Sequence, residues 1–243
     1  MKKILAMILA SAMVLALAGC GNGSDAKSEG VMTYAEYKAA ALETKVTVET
    51  YVQAKQGWWE KDGQGLATIY TQDHDGAYFI YEMPCTKDEY DKLTPGTKIK
   101  VVGYKAEWSG EVEIADVESF EIEKGSYVAK AVDLSDKLAS ADLVDYQNQY
   151  FSVTGLTVEK ANDDGAAFLY NWDGSGSKGN DLYFNVSKDG KTYTFTVESY
   201  LCGQDTDVYK AVEGLKVGST IDVTGYLYWY NGANPHITSV KVK

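Results

Sequence analysis

Between residues 46 and 52, Val46, Val48, Thr50 and Val52 alternate with polar residues and Tyr51. A period of two is the mark of a half-buried strand. Two further β-rich runs, 66–73 and 77–83, are joined by His74-Asp75-Gly76, and the Asp-Gly pair predicts a hairpin. Thr33-Tyr34-Ala35-Glu36 has the form of a capping box and predicts a short helix to about Leu42. Thr86 and Glu89 form a second box, for one or two helical turns to Leu93. Runs 98–108 and 111–120 are two more strands about Ser109-Gly110. The count is five strands, with a helix between the third and the fourth.

The same order recurs. Residues 95–104 reappear as 217–226, with glycines matching at both ends and apolar residues at the centre. The second half predicts strands over 150–159, 182–187, 192–201, 220–230 and 236–242. A turn falls at Lys188-Asp189-Gly190 and a helix near 205–215. A lead-in over 129–143 offers Leu134, Leu138 and Leu143 as helix positions. Five strands with a helix in that place is the plan of the OB fold. The fold expected is all-β with short helices: two tandem five-stranded OB-fold barrels, at 31–125 and 126–243. Gly103 and Gly225 fall inside the fourth strand of each, where glycine marks a bend or bulge. An immunoglobulin-like sandwich ranks second, since it wants about seven strands per domain.

Ahead of these units, Met1-Lys2-Lys3 is followed by an apolar run over 4–18, interrupted by Ser11. That is short of the roughly 20 residues a spanning helix needs and fits a secretory signal. Leu17-Ala18-Gly19-Cys20 resembles the lipobox of bacterial lipoproteins. The resemblance implies a signal peptide over 1–19 and a diacylglycerol on Cys20, whose amine is open to a further acyl chain such as palmitate. The expected location is the extracytoplasmic face of a cell membrane, lipid-anchored. Residues 20–30 carry no large apolar side chain and are expected to form a flexible tether.

Charge narrows the partners. The whole chain stands at −12; without Lys2 and Lys3 it stands at −14, and every basic residue is Lys. Polyanion binding needs a basic surface, and Arg is the usual reader of phosphate and guanine, so nucleic acid is expected to be an unlikely partner. Cys85 and Cys202 fall at matching places in the two halves and read as buried thiols. The loop 173–181 has oxygen ligands but lacks the calcium-loop pattern, and His74 and His236 are isolated. No motif suggests an activated nucleophile or a phosphate cradle, so neither catalytic activity nor a cofactor is expected. A carboxylate pair of the glycosidase kind is the least favoured alternative.

Where a ligand could sit follows from the fold. OB barrels bind on strands two and three, between the loop joining strands one and two and the loop joining four and five. Trp58 and Trp59 stand in the first such loop, Trp108 in the second, and Tyr70 on the second strand. In the other barrel, Trp172 stands in a long loop over 161–181 that also holds Phe168 and Tyr170. Tyr226, Tyr228 and Tyr230 recur two apart, opposite in phase to Ile221, Val223, Leu227 and Trp229. Such rings stack on sugars, bases or an apolar partner surface. The favoured ligand is an oligosaccharide, a cell-wall fragment or an envelope protein, held also by Asn, Gln and Asp. The rivals are a structural module whose aromatics fill the seam between the domains, and single-stranded nucleic-acid binding.

The runs Gln53-Ala54-Lys55-Gln56-Gly57-Trp58-Trp59, 72–79, 95–103 and Trp108-Ser109-Gly110-Glu111 resemble tandem OB-fold lipoproteins of gut Gram-positive bacteria. The likeness covers most of 31–122, with the second half similar in layout alone. It implies fold and location and carries no ligand.

Overall fold

Both threonine capping boxes form. Thr33 opens α1 (Tyr34–Ala39) and Thr86 opens α2 (Lys87–Lys92). In each, the hydroxyl accepts the amide three residues on, and Glu36 or Glu89 accepts the threonine amide. α1 stops short of Leu42 because its end is claimed from outside. Lys105 Nζ donates to the carbonyls of Tyr37, Lys38 and Ala40 at 3.0, 2.9 and 2.7 Å, a cation where unpaired carbonyls collect.

The computed structural model describes residues 26–243. The expected signal peptide and Cys20 lie outside them. Among the described residues, no helix is long and apolar enough to cross a membrane.

The first barrel comprises β1 (Lys45–Lys55), β2 (Trp59–Lys61), β3 (Gln64–Gln72), β4 (Ala77–Pro84), β5 (Thr97–Trp108) and β6 (Glu111–Ser126). The ladder runs β1-β5-β6-β4-β3 and closes by β3 pairing back to β1. β4 and β6 are parallel, the remaining pairs antiparallel. Val46, Val48, Val52, Ile69, Ile80, Met83, Ile99, Val101 and Ile114 fill the interior.

The second barrel comprises β7 (Val132–Asp133), a 3-10 helix (Ala141–Tyr146), β8 (Tyr150–Glu159), β9 (Leu169–Tyr170), β10 (Leu182–Lys188), β11 (Lys191–Val197), α3 (Asp207–Glu213), β12 (Thr220–Tyr226) and β13 (His236–Val242). It closes the same way, β8-β12-β13-β11-β10-β8, with β11 and β13 parallel. Phe151, Val153, Leu156, Leu182, Phe184, Phe195, Ile221, Val223 and Ile237 form its core. The molecule is two OB-fold barrels in tandem, with α2 and α3 each between the third and fourth barrel strands.

Gly103 and Gly225 mark the register breaks expected of them. β5 slips against β6 between Val102 and Tyr104, and β12 slips against β13 between Thr224 and Gly225. A side chain at Gly225 would stand 2.2 Å from the His236 carbonyl oxygen. Only bare Cα allows that approach.

Three expectations are corrected. The lead-in over 129–143 is not an α-helix; it is a two-residue strand, turns and the 3-10 segment, with Leu134, Leu138 and Leu143 still buried in the second core. β12 ends at Tyr226 and not at 230, because the Tyr228 amide turns back to the Tyr226 carbonyl at 2.9 Å. Residues 26–30 are not a free tether, since Lys27 Nζ donates to Asp73 Oδ2 at 2.7 Å and to the Glu49 carbonyl at 2.8 Å. Asp73 is fully buried, and a buried carboxylate recruits a cation.

Candidate functional site

In the first barrel the ligand face of an OB fold would be the outer side of β3 and β4. Tyr70 and Phe79 stand opposite each other there. That face is occupied by the second barrel. Tyr70 stacks on Tyr226, with ring centres 4.5 Å apart and planes at 17°. Phe79 meets Tyr228 edge-on at 5.4 Å, and Tyr228 stacks on His236 at 4.4 Å. The Tyr70 hydroxyl is hydrogen-bonded to His236 Nδ1 at 2.9 Å. Tyr70 and Tyr226 are 1% and 6% exposed. The tyrosine row therefore does point away from its own core, but Tyr226 and Tyr228 point into the seam between the barrels. Tyr70, Tyr226 and Tyr228 are corrected from ligand contacts to interdomain contacts.

Polar bonds continue the seam. The Gly57 amide donates to the Tyr200 carbonyl at 2.7 Å, and the Tyr150 amide to Gln72 Oε1 at 2.9 Å. Gln56 Nε2 donates to Glu198 Oε2 at 3.2 Å, and the Trp229 amide to Glu111 Oε2 at 2.8 Å. Burial pushes the Glu111 carboxyl up to about 8, against the Asn148 side chain and the Trp229 amide. Burial likewise raises Glu113 and Glu198 to about 7 each. It depresses His236 to about 3, so that imidazole is neutral in the seam.

Trp58 is half-buried and packs inward. Its indole packs on Tyr90 at 5.2 Å and over the bare Cα of Gly65, inside the first barrel's margin. Trp59 is half-buried in β2, paired with Leu66. Cys85 and Cys202 are free, buried thiols raised to about 11 by burial. Among the described residues, no three His, Cys, Asp or Glu side chains stand together as a metal set.

The second barrel keeps its face open. On β10, Leu182, Phe184 and Val186 point inward, so Tyr183 and Asn185 take the outer side, beside Thr194 of β11. The long loop after β8 brings Ala161, Leu169 and Trp172; the loop after β12 brings Tyr230, Ala233 and Asn234. Together they line a groove of about 660 Å³, within the usual range of ligand sites. Trp172 and Tyr230 are 76% and 53% exposed. The floor is fixed by side-chain bonds. Thr194 Oγ1 donates to Asn185 Oδ1 at 2.8 Å, and Asn185 Nδ2 donates to the Lys160 carbonyl at 3.1 Å. Thr196 Oγ1 donates to Asn234 Oδ1 at 2.7 Å, which leaves the Asn234 amide nitrogen as a donor. None of the side chains lining the groove is charged.

Of the residues expected to bind, Trp172 and Tyr230 converge here. Tyr183, Asn185, Thr194 and Asn234 were missed. The signal for Tyr183 and Asn185 was present, in their phase opposite to Leu182, Phe184 and Val186. Phe168 and Tyr170 pack against the core instead, with the Tyr170 hydroxyl donating to Glu213 Oε1 at 2.6 Å.

No family model matches the chain, and no curated protein matches it. Solved structures give weak superpositions. The p204 HINb domain has a TM-score of 0.36 at 11% identity, covering 83% of this chain and 98% of that one. A replication protein A heterotrimer bound to ssDNA has 0.35 at 12%, covering 85% and 51%. A murine DNA-binding protein bound with dsDNA has 0.33 at 15%, covering 81% and 94%. Superpositions this loose say nothing about what this chain binds.

Proposed function

We propose that this chain is an exported protein, held by a lipid on Cys20 at the extracytoplasmic face of a cell membrane, whose second barrel binds a neutral oligosaccharide without catalysing a reaction. One observation carries the ligand class. The open β10/β11 face presents Trp172, Tyr183 and Tyr230 around amides and hydroxyls, with no charged side chain in the lining. Sugar rings offer apolar faces to such rings and hydroxyls to such amides. The export reading rests on the apolar run and Leu17-Ala18-Gly19-Cys20.

Single-stranded nucleic acid is the second reading, favoured by the fold and by the same rings, on which bases also stack. It would track its phosphates along lysines, and none lines the groove.

The test is tryptophan fluorescence of residues 20–243 carrying Cys20→Ser, titrated with neutral cell-wall and dietary oligosaccharides and with oligothymidylate. A saturable change with a sugar, lost in Trp172→Ala, is the expected result. Saturation with oligothymidylate alone would transfer the groove to the second reading. A folded protein silent to both would turn the search to an envelope protein partner. For the anchor, Cys20→Ser should move the protein from the membrane fraction to the soluble one; equal membrane retention would refute lipidation there.

A further inference from the structure

We infer that the groove continues across the domain boundary onto the first barrel, where Trp108 forms an outlying subsite, so that the ligand is a chain of several rings. This deepens, and rests on, the assignment of the β10/β11 groove to a neutral sugar.

The β5–β6 hairpin tip lies against the loop that carries Tyr230. The Asn231 amide donates to the Ser109 carbonyl at 2.7 Å. Following bonds from Trp108 Cα through that hydrogen bond to Tyr230 Cα bounds their separation at about 11 Å. Trp108 is 61% exposed. It is in neither core cluster, whereas Trp229 packs on the second core and meets the tip at Gly110.

The tip is held in place. Ser109 and Gly110 have φ of 51° and 91°, the left-handed pair that a two-residue hairpin turn requires. A side chain at Gly110 would stand 2.8 Å from Trp229 Cδ1. Gln147 Nε2 donates to the Gly110 carbonyl at 2.8 Å, and Glu111 Oε2 accepts the Trp229 amide at 2.8 Å. Four contacts from the second barrel thus fix the turn that carries Trp108. A ring held at a set distance from the groove loses little ordering entropy on binding.

The spacing selects the ligand. A single sugar at Trp172 and Tyr183 would leave Trp108 uncovered. A linked oligosaccharide offers ring faces in series, with hydroxyls at the edges for Asn185 and Asn234.

The experiment is calorimetric titration of residues 20–243 carrying Cys20→Ser with cello- and chito-oligosaccharides of one to six rings, and with oligothymidylate. Affinity should rise with length and then level off. Trp108→Ala should remove the gain of the longer oligomers, about tenfold, and leave the shortest binders unchanged, while Trp172→Ala weakens every length. Gly110→Ala, which displaces the tip, should reproduce the Trp108→Ala pattern. An undiminished length gain in Trp108→Ala, in a protein of parental Tm, overturns the outlying subsite and leaves the groove standing. No binding of either series to the parent, or binding of oligothymidylate alone, overturns both.

Discussion

Glu111 is a carboxyl with no exposure. Burial holds it at about 8 against an ordinary 4.5. Between those values the folded chain keeps a proton that the unfolded chain has lost. Stability from this group is therefore full below about pH 4.5 and declines as pH rises towards 8. Glu113 and Glu198, at about 7, act with the same sign. His236 has the opposite sign, since it is neutral down to about 3 against an ordinary 6.5. Its contribution is full above 6.5 and is lost as pH falls towards 3. Between pH 4.5 and 6.5 the three carboxyls outweigh the one imidazole, so thermal unfolding followed across pH 3–9 should show the contribution of these groups highest near pH 4.5 and falling from there towards pH 8. Glu111→Gln should flatten the alkaline flank, raising stability at pH 8 by about 1–3 kcal/mol; an alkaline slope equal to the parent's would count against this account.

At the scale of elements, most of the plan is legible in the sequence. Both capping boxes, the Asp-Gly hairpin, the placing of α2 and α3 and the two glycine bulges follow from local chemistry that acts over a few residues. Where elements end was less legible. Alternation runs on through Tyr228 and Tyr230, yet β12 stops at Tyr226, because the Tyr228 amide turns back to the Tyr226 carbonyl and the Trp229 amide donates to Glu111 of the first barrel. The bulge gives an element-scale prediction. Gly225→Ala sets Cβ against the His236 carbonyl and should cost about 1–3 kcal/mol, measured by urea unfolding. It should also move His236 away from Tyr70, seen as a changed His236 ring signal in NMR. A neutral outcome in both would mean that the bulge tolerates a side chain.

For the whole molecule, the decisive arrangement is asymmetric. Two barrels of one plan meet so that the first gives up its β3/β4 face to the second, while the second keeps its own β10/β11 face open. The stacked and hydrogen-bonded cluster of Tyr70, Tyr226, Tyr228 and His236 predicts one rigid body and not two tethered domains. Tyr70→Ala removes a stack and a hydrogen bond together and should cost about 3 kcal/mol. It should expose the connection over 127–131 to limited proteolysis, while cleavage there at the parental rate would show that the seam does not depend on Tyr70. Lys27 ties the start of the described chain to this body through Asp73. Six residues lie between it and Cys20 and the span reaches at most about 25 Å, so a lipid on Cys20 would hold the first barrel near the bilayer.

By itself the sequence determined the two barrels, the order of their elements along the chain, the bulges and the burial of Cys85 and Cys202, because alternation, turn chemistry and capping act within a strand or a turn. It also marked aromatic residues at the framing loops. Which of them face solvent was decided by tertiary structure alone. Tyr226 and Tyr230 share a residue type and a run of sequence, yet one lies under the first barrel and the other borders the groove. Local pattern tells a side chain to leave its own core; only the docking of a second body determines whether it meets water or protein.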